Sequence, residues 1–291
     1  MKRIPFQQVD VFTDVPFKGN PVAVVLDAEG LPATEMQAIA NWTNLSETTF
    51  VLPPTKPGAS YRVRIFTPRS ELPFAGHPSV GTAHALVEAG RIDPAAALVQ
   101  ECAAGLLPVR VVGEGAQRSV FVRAPRVRAR HTSTADIDAF VRALGAHAVG
   151  PGAPQTLNAG PDWLICDLGS GAAVRTLKPD LAAIDAASRR TGITGITVFG
   201  RAESNDYALV VRAFAPADGV PEDPVTGSAN AAIGAYLLLT GLLGEIGANY
   251  RASQGREVGR NGFVNVRVDA TSGEVEIGGQ SVICIEGTML L

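Results

Sequence analysis

Two stretches of this chain repeat one device, and together they limit what it can fold into. In residues 221–239, PEDPVTGSANAAIGAYLLL, two acids and a proline lead into a Thr226-Gly227-Ser228 turn that opens an apolar, Ala-rich, helix-forming segment. The same order recurs in residues 71–90, ELPFAGHPSVGTAHALVEAG. Aligning Gly76 with Gly227 sets Ala83 against Gly234 and Leu86 against Leu237, so each half has a glycine turn followed by a small-residue helix. The first N–H groups of a helix lack intrahelical partners, and with the helix dipole they suit a carboxylate or another anion. The chain therefore reads as two half-sites facing each other.

The surroundings of the two turns match. In the first half, strands are predicted over residues 4–12, 21–26, 46–52 and 61–67, then the helix from about Ser79 to Glu88 with Gly90 as its stop, then strands over 98–101, 107–112 and 119–122. A further helix over 35–42 is predicted to be capped by Thr34. The second half opens after the basic stretch RAPRVRAR at 123–130, read as a solvated linker. It carries helices over 136–144, capped by Thr134, and 179–190, with strands over 163–168, 193–199 and 207–213 before the second turn and further strands from 250 to 286. The predicted class is α+β: two pseudo-symmetric halves, residues 1–127 and 128–291, each mainly sheet around one central helix. Whether the last strand returns to the first half is left open by the pattern.

Charge and composition exclude several functions. The net charge is −3 with a pI of about 5.8, and no basic run suits a phosphate backbone, so nucleic acid is not an expected partner. No segment reaches about 18 consecutive apolar residues, so no membrane span is expected. Gln7, Gln8 and Asp10 interrupt the apolar stretch near the amino terminus before it becomes a signal core. With three scattered cysteines, Cys102, Cys166 and Cys284, this favours a reducing cytoplasm.

Four side chains stand out chemically. Glu47 lies among Leu45, Phe50 and Val51. In apolar surroundings its pKa would rise toward neutrality, as a general acid or base requires; on an edge strand it would simply face water. Asp223, before Pro224 and the turn, either orients a reacting group or bonds its own backbone. His77 is the one side chain of the first turn able to move a proton near pH 7, or else a ring cap. Ser228 is a cap or a hydroxyl donor to a bound carboxylate.

Nucleotide and nucleophilic-serine motifs are missing: there is no Gly-x-Gly-x-x-Gly, no Gly-x-x-x-x-Gly-Lys-Ser/Thr, and Thr226-Gly227-Ser228-Ala229 is not Gly-x-Ser-x-Gly. His77 and His84 lack a third metal ligand nearby. Acid/base chemistry with no cofactor and no metal is the expectation.

Five segments, VDVFTDVPFKGNPVAVVL, NLSETTFV, FTPRSELPFAGHPSVGTAHAL, EDPVTGSANAAIGAYL and QGREVGR, resemble in order and spacing the PhzF family of phenazine-biosynthesis-like isomerases and epimerases. The resemblance implies the diaminopimelate-epimerase fold, two barrel-like halves with the site between them, and a homodimer. Epimerases of that fold place a cysteine at each glycine turn, where this chain has Ala75 and Thr226, so two-thiol racemisation is not open to it. The resemblance instead implies Glu47 as proton shuttle, Asp223 and His77 lining the site, and Gly76, Gly227 and Ser228 holding a substrate carboxylate. It implies isomerisation of trans-2,3-dihydro-3-hydroxyanthranilate, in which a proton leaves one ring carbon and returns at another to give a ketone. Ser79, Asn230 and the GRNG end depart from commoner members and bear on the substrate. The competing expectations are an amino-acid or hydroxy-acid epimerase, and a non-catalytic protein that binds small carboxylates.

Overall fold

The structure is a computed structural model that describes residues 2–145 and 150–291. Its contacts divide the chain into two units, Met1–Pro125 with Gly278–Leu291, and Arg126–Ile277. The first carries β1 (Arg3–Val11), β2 (Asn20–Val25), α1 (Ala33–Thr43), β3 (Glu47–Leu52), β4 (Tyr61–Phe66), β5 (Glu71–Leu72), α2 (Gly76–Glu88), β6 (Leu98–Cys102), β7 (Gly105–Val112) and β8 (Ser119–Arg123). The second carries β9 (Arg128–Arg130), α3 (Thr134–Leu144), β10 (Gln155–Asn158), β11 (Asp162–Ser170), α4 (Gly171–Thr176), α5 (Leu181–Thr191), β12 (Gly195–Arg201) and β13 (Leu209–Ala215). It continues with β14 (Val220–Asp223), α6 (Gly227–Leu239), α7 (Leu243–Ile246), β15 (Asn249–Gln254) and β16 (Gly262–Val268). A last long strand, β17 (Val275–Leu290), belongs to the second unit at its start and to the first thereafter.

In the first unit the strands close on themselves. β1 pairs β2, and the ladder runs through β3, β4, β6, β7 and β8 to β17, which pairs back onto β1 from Ser281 to Leu290. β1 is antiparallel to β2 and to β17, as are β3–β4, β6–β7 and β7–β8, whereas β2–β3 and β4–β6 are parallel. Inside lies α2, whose residues from Gly76 to Val87 are all buried. Its approach to the wall requires glycine: a Cβ on Gly81 would stand 2.6 Å from Val22 Cγ1 and 2.8 Å from Val11 Cγ2. Strand β3 is buried from Thr48 to Leu52 because it is covered twice. Thr82 of α2 bonds Thr49 from one side at 2.8 Å, and Met36, Ile39 and Ala40 of α1 pack with Phe50 and Leu52 on the other. A strand covered on both faces loses the alternating pattern, as the consecutive apolar residues Phe50, Val51 and Leu52 show.

The second unit is built alike. Strands β9, β10, β11, β12, β13, β15 and β16 form a continuous ladder, parallel at β11–β12 and β13–β15. Helix α6 packs on β10, β11 and β16 and is buried from Gly227 to Leu237, with Tyr236 stacked edge-on against Phe199 at 5.6 Å. On the opposite side Phe140, Leu144 and Ile184 of α3 and α5 pack with Leu164, Val198 and Phe214 of the sheet. This is the α+β class with a mainly antiparallel sheet around a central helix in each unit.

Several local expectations are corrected. Helix α2 begins at Gly76 rather than near Ser79, since Pro78 in a first turn forfeits no helical bond. Pro32, not Thr34, precedes α1, and Ser133, not Thr134, caps α3 through the N–H of Asp136. The stretch read as a linker contains β9, and Arg130 is tied down by Asp162 and by the carbonyl of Thr191 at 2.7 Å.

Candidate active site

In the first unit the candidate residues meet where three elements begin. Glu47 opens β3, level with Val22 in the parallel β2–β3 ladder. Asn20 opens β2 and His77 is the second residue of α2. His77 Nε2 stands 3.3 Å from Glu47 Oε2, and His77 Nδ1 3.4 Å from Asn20 Nδ2. The imidazole is 6% exposed and the Glu47 side chain 16%. Burial pushes the His77 pKa down to about 3, with a hydrogen bond to the Pro21 backbone pulling the other way. At neutral pH the ring is therefore uncharged, with one N–H and one lone pair, able to face Glu47 as either donor or acceptor.

The Glu47 carboxyl is largely withdrawn from water and has a proton-handling group beside it. The geometry precedes the pKa in importance, because a general base must first be within reach of the proton it moves.

In the second unit the turn carrying Asp223, Gly227 and Ser228 is braced from several directions. Of the two acids before the turn, Glu222 is engaged by Arg212, whose Nε and Nη2 donate to its two oxygens at 2.9 and 2.8 Å. Arg212 is itself held by the Val174 and Leu177 carbonyls. Asp223, half-buried, ends β14 opposite Ala213. Gln254 spans the turn: its Nε2 donates to the Asp223 carbonyl at 3.0 Å and to Thr226 Oγ1 at 2.9 Å. Its Oε1 accepts from the Thr226 N–H at 3.0 Å and from Asn230 Nδ2 at 3.2 Å. Gln254 opens the QGREVGR segment, but its bracing role is not readable from the sequence, since the contact spans 28 residues.

Neither α2 nor α6 receives a side-chain cap at its N-terminus. Ser79 and Thr82 turn their hydroxyls back onto carbonyls of α2, at 2.8 and 2.7 Å. Each buried helix start thus lacks a side chain that would occupy its first backbone N–H groups. Ser228, 7% exposed, accepts a hydrogen bond from the Trp163 indole at 3.0 Å. Among the described residues no group of three His, Cys, Asp or Glu is arranged to hold a metal ion. The thiols of Cys102 and Cys166 are buried, and burial raises both pKa values, that of Cys166 to about 12. The glycine turns carry Ala75 and Thr226 in place of thiols.

A buried carboxyl–imidazole pair and two uncapped central helices, on this α+β scaffold, define an isomerase of the epimerase-like fold. Residues 9–287 match the family model described as phenazine biosynthesis-like protein, and the chain belongs to that family, the PhzF isomerases and epimerases. It is 38% identical to "Antisense-enhancing sequence 1" of Schizosaccharomyces pombe, over 97% of each chain. It is 36% identical to the trans-2,3-dihydro-3-hydroxyanthranilate isomerase of Pseudomonas chlororaphis, over 97% of this chain and 98% of the relative. The crystal structure of a Bacillus anthracis phenazine biosynthesis protein of the PhzF family superimposes with a TM-score of 0.82 at 28% identity, covering 100% of both chains. Among the described residues, no helix is long and apolar enough to cross a membrane.

Proposed function

We propose that this isomerase moves a proton between carbons of a small carboxylic acid without a cofactor, with trans-2,3-dihydro-3-hydroxyanthranilate as its substrate class. The observation that carries the reading is the 3.3 Å contact between Glu47 and the buried, neutral His77. Glu47 removes a proton from a carbon made acidic by a neighbouring carboxylate or enamine. The electron pair left behind shifts through the adjacent double bond, and Glu47 returns the proton to a different carbon on the same face. The resulting enol settles to a ketone, so atoms and electrons balance with no oxidant or reductant. His77 keeps an uncharged ring beside Glu47, so no fixed charge there opposes either protonation state of the carboxyl. Asp223 holds the substrate's amine or hydroxyl, while Gly76, Gly227 and Ser228 bind its carboxylate. The relative of Pseudomonas chlororaphis that bears the name of this reaction supports the choice of substrate.

Proton NMR in deuterated water tests it, with the purified protein and trans-2,3-dihydro-3-hydroxyanthranilate. The expected result is loss of starting material with deuterium at a new ring carbon, abolished in Glu47→Gln while the fold is kept. Exchange and inversion at one carbon would instead indicate epimerisation, and no consumption by a folded protein would move the search to other small carboxylates.

A further inference from the structure

Hydroxyls on the helices of this chain are generally spent inward. Ser79, Thr82, Thr191 and Thr240 each donate to the carbonyl four residues earlier, at 2.7–2.8 Å. Ser228 differs. As the second residue of α6 it precedes the helical carbonyls such a bond needs, and among the described residues no acceptor receives its proton. Ser228 is nonetheless only 7% exposed, and one lone pair of its oxygen is taken by Trp163 Nε1 at 3.0 Å.

An indole N–H can only donate. By occupying the oxygen of Ser228 as an acceptor, Trp163 bars the hydroxyl from donating in that direction. It leaves the proton for a ligand at the start of α6, and polarises the O–H bond as donors in a chain of hydrogen bonds do. Trp163 is itself 3% exposed and fixed as the second residue of β11, so the indole has little freedom to yield.

The geometry points to Trp163 as a positioning residue for the site, holding the Ser228 oxygen so that its proton is turned to a ligand at the start of α6. That proton and the backbone N–H groups of the uncapped helix start form a row of donors, which suits an ionised carboxylate better than a carboxamide, whose NH2 would oppose them. This inference rests on the reading that Ser228 binds the substrate carboxylate. An amide in that place leaves buried donors facing donors, a mismatch that costs more than the loss of one hydrogen bond.

The test is calorimetric binding of two stable aromatic probes, 3-hydroxyanthranilate and 3-hydroxyanthranilamide, so that turnover is not needed. Wild type should prefer the acid. Trp163→Phe, which keeps a ring but removes the N–H, should weaken the acid about fivefold and the amide by less than about twofold. Ser228→Ala should weaken the acid at least as much, and adding Trp163→Phe to it should change nothing further, because the tryptophan acts through the serine. In turnover assays the same Trp163→Phe protein should show a raised KM with kcat little altered. A benzothienylalanine at position 163, the same shape without the N–H, should repeat the result even if the phenylalanine variant packs poorly.

Equal weakening of both probes, or additive effects in the double variant, would overturn the assignment and reduce Trp163 to packing. A wild type that binds neither probe would overturn it together with the carboxylate reading, whereas equal loss in both probes leaves that reading standing.

Discussion

His77 Nε2 and Glu47 Oε2 stand 3.3 Å apart, although 30 residues separate them in the chain, because β3 and α2 both begin at the same end of one barrel. The pair combines a carboxyl that changes its protonation state in the proposed reaction with a ring that is uncharged at neutral pH. Replacing His77 by Phe should remove the partner while filling the space. We expect kcat to fall by about 10²–10⁴ with a smaller change in KM, measured by steady-state kinetics beside circular dichroism. Unchanged kcat would leave Glu47 acting alone.

Buried neutral histidines also set the acid limit of stability. Burial lowers His77 to about 3 and His84 to about 4, whereas in the unfolded chain each takes a proton near 6.5. Between these values the unfolded state binds more protons, so stability is complete above about pH 6.5 and declines as pH falls toward the folded values. For His77 the loss is on the order of 5 kcal/mol once the pH is below the folded value. Urea titrations from pH 7.5 to 4 should reveal the decline, and His84→Gln should flatten part of it.

The bracket formed by Gln254 holds the Asp223–Thr226 turn through four hydrogen bonds. Gln254→Leu would strand several buried polar groups at a cost of about 1–3 kcal/mol each, partly offset by relaxation. A stability loss of about 3 kcal/mol, with turnover reduced well beyond the unfolded fraction, is the expected outcome in parallel melting and kinetic experiments. Turnover that merely tracks folding would confine Gln254 to a scaffold role.

Gly81 sits where helix propensity and packing disagree. Alanine is about 1 kcal/mol the better helix former, yet its Cβ would press on Val22 and Val11 of the surrounding wall at 2.6 and 2.8 Å. Both are β-branched and confined in strands, so overpacking, about 1–3 kcal/mol, should win. Gly81→Ala should lower the denaturation midpoint, and a raised midpoint would mean that the wall yields easily.

Thiol chemistry offers a complementary check. With Ala75 and Thr226 at the glycine turns, and Cys102, Cys166 and Cys284 all carrying raised pKa values through burial, iodoacetamide near pH 7.5 should leave turnover essentially intact. Rapid inactivation protected by substrate would bring a cysteine into the mechanism.

The central helices were legible because their small, apolar residues allow burial on every side, although Pro78 hid the first turn of α2. The environment of Glu47 was not. Apolar neighbours in sequence suit an enclosed carboxyl and an edge strand equally, and only His77, delivered by another element, separates the two. Trp163 and Gln254 escaped for the same reason: each acts on the second turn across dozens of residues, and a hydrogen bond leaves no period behind. Arg130 shows the converse error. A basic, proline-containing stretch looks like a solvated connection until Asp162 and the end of α5 arrive to engage it.

Strand β17 has a further consequence, for the order in which the chain can be built. Arg3 of β1 pairs with Leu290, and β8 also waits for β17 as its neighbour, so the first barrel is closed by residues synthesised after the entire second unit. During translation the first unit holds two unpaired strand edges while residues 126–277 emerge and gather their own core. Closure is then a contact of very high sequence separation, which makes it the slow step of folding and the one most exposed to competition from other chains. Chaperone dependence should fall on the unit that is made first and finished last.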